Sequence, residues 1–391
     1  MNKNIKKIGI DARFYGPFAK GLGRYTQEIV DNILKMDNEN EYVVFLGKHN
    51  FDELEIDTNN KKVKKVLVDI KWYSWQEQLF FPFYIWREKL DLIHFTHFNV
   101  PIFCPANFVV TIHDLILTKF KTVRASTKHP FVYNLKDFFY RLVIKSALKK
   151  SKKVLTVSNF TKDDIVEQFK IKADKIKVIY EGVSNLSKGR DSLFVSKLNK
   201  DEVLSDYRIS SPYFLYVGNA YPHKNLEFLV ESFLKWSLKK NDFKLVMVGK
   251  EDFFYKRVKE RAFDLIEEMS CRDSIIFTGY VPDDKLEILY QRAMIYIFPS
   301  LYEGFGLPPL EALFNSCPVL SSKEASMPEI IQNGALYFDP RDYNDFKNKL
   351  NLLVDNENLR QNIVKHGQEV LKRYNWWECA YQTRNSYFEV L

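Results

Sequence analysis

Thirteen short apolar runs alternate along this chain with stretches of helical periodicity. A strand covered on one face alternates apolar and polar residues, whereas a parallel strand covered by helices on both faces is apolar almost throughout. Most of the runs are of the second kind, and they occupy residues 7–12, 42–46, 65–68, 92–95, 108–114, 154–158, 177–182, 214–218, 244–249, 274–279, 295–300, 318–322 and 335–338. The pattern predicts an α/β protein with parallel sheets built from βαβ units.

The length of the chain and a break in this pattern indicate two domains. The 391 residues exceed the roughly 100–200 residues of a usual domain. The alternation lapses between residues 183 and 211 and then restarts. We predict two doubly wound domains of similar size, residues 1–190 and 205–374, and an aromatic-rich helix at residues 375–391. The cleft between the two domains is the expected ligand site.

Composition argues against several classes of protein. The longest strongly apolar run, LFFPFYIW at residues 79–86, is far shorter than the roughly 20 residues of a membrane span. The N-terminus, MNKNIKKIGIDAR, turns polar too early for a signal peptide. The four cysteines, at positions 104, 271, 317 and 379, form no CxxC pair, so neither a disulfide framework nor a zinc site is indicated. We expect a cytoplasmic protein.

Positive charge is concentrated in the first half of the chain. Residues 1–190 carry 33 basic and 21 acidic side chains, although the net charge of the whole chain is only +8. Between Lys119 and Lys153 there are eleven basic residues, interleaved with aromatic ones, and a single acid, Asp137. Such a segment suits an anionic membrane surface. The alternative is a solvated helix whose apolar face packs on the core, with Leu135, Phe138, Phe139 and Leu142 on that face. Nucleic acid is not an expected partner, because no recognised nucleic-acid motif accompanies the charge.

Two polar motifs follow strands of the first half. Gly21 and Gly23, in GLGRY, lie at the start of a helix, where backbone N–H groups can approach an anion. The alternative is a flexible surface loop. The pair His113-Asp114 ends the run FVVTIHD and is placed to touch a ligand. The alternative is that Asp114 caps the next helix and that His113 makes only structural hydrogen bonds. His94 and His97 lack a carboxylate partner, which argues against a metal.

A lysine follows the first strand of the second half. In VGNAYPHKN, residues 217–225, a buried strand ends in glycine and Lys224 stands at the mouth of the next helix. A lysine with helix N–H groups at that position would neutralise a phosphate or diphosphate. The alternative is an ordinary surface lysine.

Two glutamates flank a glycine- and proline-containing loop in EGFGLPPLE, residues 303–311. On one helix Glu303 and Glu311 would lie about 12 Å apart. The two carboxylates of a glycosidase need a separation of about 5–9.5 Å, so the pair fits two contacts along one extended ligand better. The glycines would let backbone amides reach that ligand, with Pro308 or Pro309 starting the helix and Glu311 in its first turn. The alternative is one capping acid and one loop acid.

Taken in order, these segments resemble a known family. EGFGLPPLE is similar to the E-x7-E motif of the retaining glycosyltransferases of glycosyltransferase family 4. The resemblance extends over the chain through GIDAR, GLGRYT, TIHDL, VLTVSNFTKDDI, VGNAYPHKNLEFLVESF, FTGYVPDDKLEILYQRA, MPEI and ALYFDP. It implies the GT-B fold, in which two Rossmann-like domains face a central cleft. The first domain would bind the acceptor and receive the C-terminal helix, and the second would bind the donor.

The resemblance implies a role for each matching residue. Catalysis would involve His113 beside the transferred sugar, Glu303 on its hydroxyls and Lys224 on the leaving diphosphate, while Glu311 would bind the ribose. The other implied donor-binding residues are Gly21, Gly23, Asn219, His223, Tyr280, Val281, Gly304, Phe305, Gly306 and Leu307. The implied acceptor-binding residues are Arg24, Tyr25 and Asp114.

The resemblance also implies a reaction. The chain would move a hexose, mannose from GDP-mannose, onto a saccharide or lipid-linked saccharide of an O-antigen-type polysaccharide, at the inner face of the cytoplasmic membrane. It would need no metal or other cofactor. The alternatives are a UDP-sugar-dependent glucosyl- or galactosyltransferase of the same fold, and a non-catalytic nucleotide-sugar-binding protein. Many members carry an arginine close to the lysine, where this chain has His223 and Asn219. Arg24 or helix amides would then complete the phosphate site.

Overall fold

The computed structural model describes residues 5–56, 62–120, 130–183, 199–210, 212–238, 240, 242–269 and 274–391, and of residues 130–136 the backbone alone. The chain forms two compact units. Unit 1 comprises Met1–Gly182 and Tyr374–Leu391, and unit 2 comprises Val183–Arg373. Most of the predicted irregular connection, residues 184–198 and 211, lies outside the described residues, as does Cys271.

Unit 1 contains a sheet of seven parallel strands. They are β1 (Lys7–Asp11), β2 (Glu41–Leu46), β3 (Val63–Leu67), β4 (Leu92–Phe95), β5 (Phe108–Ile112), β6 (Lys153–Thr156) and β7 (Ile176–Val178). Their order across the sheet is β3-β2-β1-β4-β5-β6-β7. The order along the chain reverses between β1 and β4, and ligands of open α/β sheets bind beyond the carboxyl ends of the strands at such a switch point.

Helices connect the strands of unit 1. They are α1 (Lys20–Met36), α2 (Trp75–Glu88), α3 (Ile116–Lys119), α4 (Pro130–Lys150) and α5 (Asn159–Phe169). Side-chain caps fix two of the helix starts, because the hydroxyl of Ser74 accepts from the amide of Glu77 and that of Ser158 from the amide of Thr161. The inner faces of α2, α4 and α5 pack on the sheet through residues such as Phe81, Leu148 and Ile165.

Unit 2 repeats this plan with six parallel strands. They are β8 (Tyr213–Val217), β9 (Lys244–Val248), β10 (Ile275–Gly279), β11 (Ile295–Phe298), β12 (Val319–Ser322) and β13 (Ala335–Phe338). Their order is β10-β9-β8-β11-β12-β13, which places the switch point between β8 and β11. The helices are α6 (Lys200–Asp206), α7 (Leu226–Ser237), α8 (Phe253–Glu268), α9 (Asp283–Arg292), α10 (Leu307–Phe314), α11 (Met327–Ile331), α12 (Tyr343–Asp355) and α13 (Glu357–Leu371).

The α/β prediction with parallel sheets is confirmed. Each of the thirteen predicted strands coincides with an observed one, but several predicted runs continue past the observed end of the strand. His113 and Asp114 therefore follow β5 in a loop, and Glu181 follows β7. One part of the stretch predicted to be irregular is helical, because Asn199 caps α6 by accepting from the amide of Asp201.

The last helix, α14 (Trp376–Phe388), packs on α1 within unit 1. The carboxamide oxygen of Asn375 accepts from the amide of Trp377 and caps the helix. Arg384 donates through Nε to Oδ2 of Asp37 at 2.8 Å. Burial raises the pKa of Asp37, but hydrogen bonds from Arg384, Asn40 and neighbouring groups outweigh it and lower the pKa to about 2. The helix is thus fixed to unit 1 by a partly buried ion pair.

A buried chain of hydroxyl and imidazole groups also joins α14 to the sheet of unit 1. Nδ1 of His94 lies 2.7 Å from the hydroxyl of Tyr387, and its Nε2 lies 2.8 Å from Oγ1 of Thr111. The hydroxyl of Tyr25 lies 3.0 Å from the same threonine oxygen. His94 is fully buried, and this burial lowers its pKa to about 3.

The depressed pKa of His94 predicts a loss of stability in mild acid. The unfolded protein takes up a proton on this histidine near pH 6.5 and the folded protein only near pH 3, so the stabilisation is complete above pH 6.5 and falls as the pH drops toward 3. The slope is at most about 1.4 kcal/mol per pH unit for one histidine. We expect His94→Gln to flatten this limb in urea unfolding measured from pH 7 to 4. His366→Gln is the control, and an unchanged slope in His94→Gln would contradict the assignment.

The basic stretch between Lys119 and Lys153 is described only in part, because residues 121–129 lie outside the described residues. In the part that is described, Phe138, Phe139 and Leu142 of α4 are exposed. The alternative in which the apolar face packs on the core is therefore wrong for these three side chains, and the side chain of the fourth, Leu135, lies outside the described residues. Of the helices that the structure describes, none combines the length and apolar character needed to cross a bilayer.

Candidate active site

The loops after β8 and β11 form the first candidate site, at the switch point of unit 2. A short 3-10 turn, Pro222–Lys224, ends in Asn225, whose backbone is left-handed with φ of 60°. The Asn225 carboxamide donates to the carbonyls of Pro299 and Pro340 at 3.2 and 2.8 Å. The amide of Leu301 donates to the carbonyl of His223 at 2.7 Å. These bonds fix the loops after β8 and β11 to each other and to the segment after β13.

Lys224 and Glu303 form an ion pair across these loops. Nζ of Lys224 lies 2.6 Å from Oε1 of Glu303, and the side chains are only 11% and 9% exposed. The ammonium also lies 5.4 Å from the centre of the Phe298 ring. Ser326 donates through Oγ to the backbone carbonyl of Glu303 at 3.0 Å. A cation and a carboxylate are thus held at the carboxyl edge of the sheet, where each neutralises the other.

Glycine is required by the fold at one position of the loop after Glu303. Gly306 has φ of 89°, which side-chain-bearing residues rarely adopt, and a Cβ there would lie 2.5 Å from Cε of Met327. The helix α10 begins directly after it, at Leu307, with Pro308 in its second position. Gly304, Phe305 and Gly306 are buried.

The expectation that Glu311 lies in the first turn of this helix is wrong. The helix begins at Leu307, one residue before Pro308 and two before Pro309, so Glu311 is its fifth residue and no acid lies in the first turn. The glutamate is 7% exposed, and the hydroxyl of Tyr290 lies 3.3 Å from its Oε2. Glu303, by contrast, lies in the loop before α10, so the two glutamates do not share a helix.

The other predicted donor-site residues of unit 2 differ in exposure. Asn219 is half-buried, and its carboxamide oxygen accepts from the amide of Tyr221 at 3.4 Å. Tyr280 is 70% exposed beyond β10, and Val281 is buried. Burial lowers the pKa of His223 to about 4. The imidazole is therefore neutral at pH 7 and does not replace the charge of an arginine beside Lys224.

His113 is the centre of the second candidate site, in unit 1. Its Nδ1 lies 3.1 Å from Oε1 of Glu181, and its Nε2 lies 3.0 Å from the backbone carbonyl of Thr96. Both partners are acceptors, so both ring nitrogens carry a proton when both hydrogen bonds form. Burial lowers the pKa of His113, but the Glu181 carboxylate outweighs it and raises the pKa above its ordinary value. The two acceptors and the carboxylate thus favour the protonated form of the imidazole.

The predicted neighbours of His113 have structural partners. Tyr25 is 2% exposed and lies edge-on to the imidazole, with ring centres 4.5 Å apart. Oδ1 of Asp114 accepts from the amide of Ile116 at 2.9 Å, although the residue at the N-cap of α3 is Leu115 and not Asp114. Gly21 and Gly23 lie in the first turn of α1 rather than in a loop, and Arg24 beside them is half-buried. A Cβ on Gly23 would lie 1.9 Å from the carbonyl oxygen of Gly16, so backbone packing requires this glycine.

Two sequence families match the chain that carries these sites. The family described as Glycosyl transferases group 1 matches residues 201–370, and Glycosyltransferase Family 4 matches residues 19–185. Together the two matches cover most of both units. The chain is a glycosyltransferase of family 4.

Known proteins that resemble this glycosyltransferase agree with that assignment. It is 28% identical over 366 residues to the O-antigen chain mannosyltransferase RfbU of Salmonella typhimurium, covering 91% of this chain and 88% of RfbU. It is 29% identical over 244 residues to O-antigen chain mannosyltransferase B of Escherichia coli, covering 62% of this chain and 61% of that protein. The structure of Anabaena Alr3699/HepE in complex with UDP and glucose superimposes with a TM-score of 0.67 at 17% identity, covering 98% of this chain and 99% of that one. This likeness assigns the GT-B fold.

Sequence reasoning missed one functional candidate of the glycosyltransferase, Glu181. A signal was present, because Glu181 ends the run KVIYEG, and the run FVVTIHD ends in His113 and Asp114. Parallel strands bring such ends to one edge of the sheet. Sequence reasoning also missed an aromatic cluster that joins the segment before α1 to the segment before α2, where the Trp72 ring stacks on Phe14 at 4.3 Å and on Phe18 at 5.4 Å. In the part of the chain that is described, no group of three His, Cys, Asp or Glu side chains could hold a metal.

Proposed function

We propose that this glycosyltransferase moves mannose from GDP-mannose onto a saccharide or lipid-linked saccharide of an O-antigen-type polysaccharide, with retention of the anomeric configuration. The observation that carries the proposal is the Lys224–Glu303 ion pair at the switch point of unit 2. The names of the two relatives given above support the sugar and the polysaccharide.

The pair has the chemistry that a nucleotide-sugar donor needs. When the donor binds, the ammonium of Lys224 turns to the diphosphate and the carboxylate of Glu303 accepts from hydroxyl groups of the sugar. Amides of Phe305, Gly306 and Leu307 lie along the same ligand. Glu311 accepts from the ribose, and Tyr280 and Val281 border the base. Asn219 and His223 complete the donor site through the backbone of their loop.

The transfer breaks the bond between the anomeric carbon and the phosphate oxygen. The new bond forms between that carbon and an acceptor hydroxyl on the same face of the sugar, and the hydroxyl proton passes to the departing diphosphate. Lys224 stabilises the charge of this leaving group, as fixed cations do in other transfers. His113 lies beside the transferred sugar and Gly21 and Gly23 border the diphosphate, while Arg24, Tyr25 and Asp114 bind the acceptor. In this proposal the diphosphate is neutralised by protein groups and no metal takes part.

The second candidate is a UDP-sugar-dependent transferase of the same fold, favoured by the complex of HepE with UDP and glucose. Donor profiling separates the two candidates. We expect turnover with GDP-mannose to exceed turnover with UDP-glucose and UDP-galactose by about tenfold or more, since a site that hydrogen-bonds one base leaves polar groups unpaired with another.

The anomeric configuration of the product is the second measurement. With an α-linked sugar nucleotide as donor, we expect an α-linkage by NMR, because attack occurs on the face that the leaving group vacates. Heat-denatured enzyme is the control. A β-linked product would exclude the retaining proposal, and higher turnover with a UDP-sugar would replace GDP-mannose as the donor.

We also propose that the acceptor is reached at an anionic membrane surface, through the basic residues between Lys119 and Lys153. The charge of this segment supports the proposal.

A further inference from the structure

The outward face of α2 is apolar, which is unusual for a surface helix. Five large side chains of this helix are between 52% and 67% exposed, and they are Trp75, Leu79, Phe80, Phe83 and Trp86. Four of them, all except Phe80, recur at helical spacing and share one side of the helix. Four of the five lie in the run LFFPFYIW. Packing in the core would explain such an apolar run if these side chains faced inward, but they face solvent.

The inward face of α2 is already occupied by core packing and by paired acids. Phe81 and Ile85 are fully buried in the core of unit 1. Glu77 is fully buried and pairs with Arg13 at 2.7 Å, and Glu88 is buried and pairs with Lys64 at 2.7 Å. Arg87 is therefore the one charged side chain that α2, which is described along its whole length, presents to solvent. The face is apolar with a positive charge and no exposed acid.

The apolar surface continues from α2 to a neighbouring loop and to the end of α4. The amide of Ile102 donates to Oε1 of Gln78 at 2.9 Å, which joins the loop to α2. Phe103 follows and is 79% exposed. Lys150 donates through Nζ to the carbonyl of Ile102 at 2.8 Å, and its Nζ lies 5.5 Å from the centre of the Phe103 ring. Lys149 is also exposed there.

We infer that this surface, the five exposed side chains of α2 with Phe103, is a membrane-docking surface that enters the interfacial region of an anionic bilayer. Tryptophan is the residue enriched at that depth, and Trp75 and Trp86 stand near the two ends of the helix. Stable attachment needs an apolar and an electrostatic component, and here Arg87, Lys149 and Lys150 supply the second. Lys149 and Lys150 belong to the basic segment between Lys119 and Lys153, but in this surface aromatic side chains of α2, rather than charge, carry most of the contact.

Charge decides between a bilayer and a second copy of the chain. A surface that docked on its own copy would set the exposed cations of one face against those of the other, and the described part of α2 offers no exposed acid to meet them. An anionic bilayer meets both the apolar side chains and the cations.

Vesicle flotation with the full chain tests the inference. We expect recovery with vesicles of phosphatidylcholine containing 30% phosphatidylglycerol, little recovery with phosphatidylcholine alone, and weaker recovery at high salt. The double variant Leu79→Gln/Phe83→Gln should lower the partition coefficient by about tenfold or more. The matched control is Phe253→Gln/Phe263→Gln, which removes two exposed aromatic side chains from α8 in unit 2 and should bind like the parent.

Tryptophan fluorescence supplies a second measurement at the proposed contact. On addition of anionic vesicles we expect a blue shift and quenching by brominated lipid, both reduced in Trp75→Phe/Trp86→Phe. Circular dichroism, expected to be unchanged, shows that the variants fold, and it does so independently of the proposed donor. Turnover of a short water-soluble acceptor should also be unchanged.

Three outcomes would overturn the inference. The first is equal recovery of the parent with neutral and anionic vesicles, and the second is equal recovery of the parent and Leu79→Gln/Phe83→Gln. The third is a dimer in sedimentation velocity that the double variant abolishes without any vesicle binding by the parent, which would make the surface an interface between copies.

Discussion

Glu303→Gln is expected to lower kcat/KM for the nucleotide-sugar donor by about 10²–10³-fold. The carboxylate is the proposed acceptor for the sugar hydroxyls, and its loss also leaves the ammonium of Lys224 without its partner at 2.6 Å. Removing one member of a largely buried ion pair costs on the order of 3 kcal/mol, because the remaining charge stays desolvated. We therefore expect lower activity and a lower free energy of unfolding in the same variant.

A double-mutant cycle with Lys224→Met separates the two effects. The double variant Lys224→Met/Glu303→Gln should regain part of the stability lost by each single variant, since it leaves no unpaired charge, but it should remain inactive. Glu231→Gln is the matched control, because it breaks the half-exposed pair with Lys235 on α7 and should change stability by less than about 0.5 kcal/mol. Turnover of Glu303→Gln within threefold of the parent would remove this residue from the proposed site.

Glu181→Gln is expected to move the alkaline limb of the pH–rate profile to lower pH. The carboxylate raises the pKa of His113, so activity that needs the imidazolium persists to higher pH in the parent than in the variant. The contribution of the His113–Glu181 pair to the stability of the folded state also decreases as the pH rises. The pair stabilises the folded state fully below the unfolded pKa of about 6.5, and this contribution is lost as the pH rises through the raised folded pKa. His113→Ala should lower kcat about 10²-fold or more over the whole range.

An NMR titration of the His113 ring measures the same shift without turnover. Glu167→Gln, which removes an exposed acid from α5, is the control and should leave the pKa of His113 unchanged. If His113 in the parent titrates at or below its ordinary pKa, or if Glu181→Gln leaves that pKa unchanged, the assigned effect of Glu181 on the pKa of His113 is wrong.

The parallel sheets could be predicted from the sequence because a strand covered on both faces is apolar along its length, which few other structures require. The same rule placed Lys224 and Glu303 near the carboxyl edge of a sheet, since both follow such strands. The start of α10 could not be predicted to the residue, because it depends on the left-handed backbone of Gly306 against Met327. That one-residue difference moves Glu311 out of the first turn.

Contacts that depend on tertiary packing could not be predicted from local pattern. His113 and Glu181 are separated by 68 positions, and they meet only because β5, β6 and β7 are neighbours in the sheet. The direction in which α2 faces is a second case. LFFPFYIW has apolar residues on all sides, so the pattern does not say that Phe81 and Ile85 are buried while Phe83 and Trp86 are exposed.

The return of α14 to unit 1 has a consequence for biosynthesis. Domains usually fold in the order in which the ribosome releases them. Here the ribosome must synthesise all of unit 2 before the helix that covers α1 exists, so unit 2 can be finished first. Until then His94 lacks the hydroxyl of Tyr387 and Asp37 lacks Arg384. A nascent chain that stops after Arg373 would therefore leave unit 1 incomplete, and such fragments should be preferred substrates for chaperones and proteases.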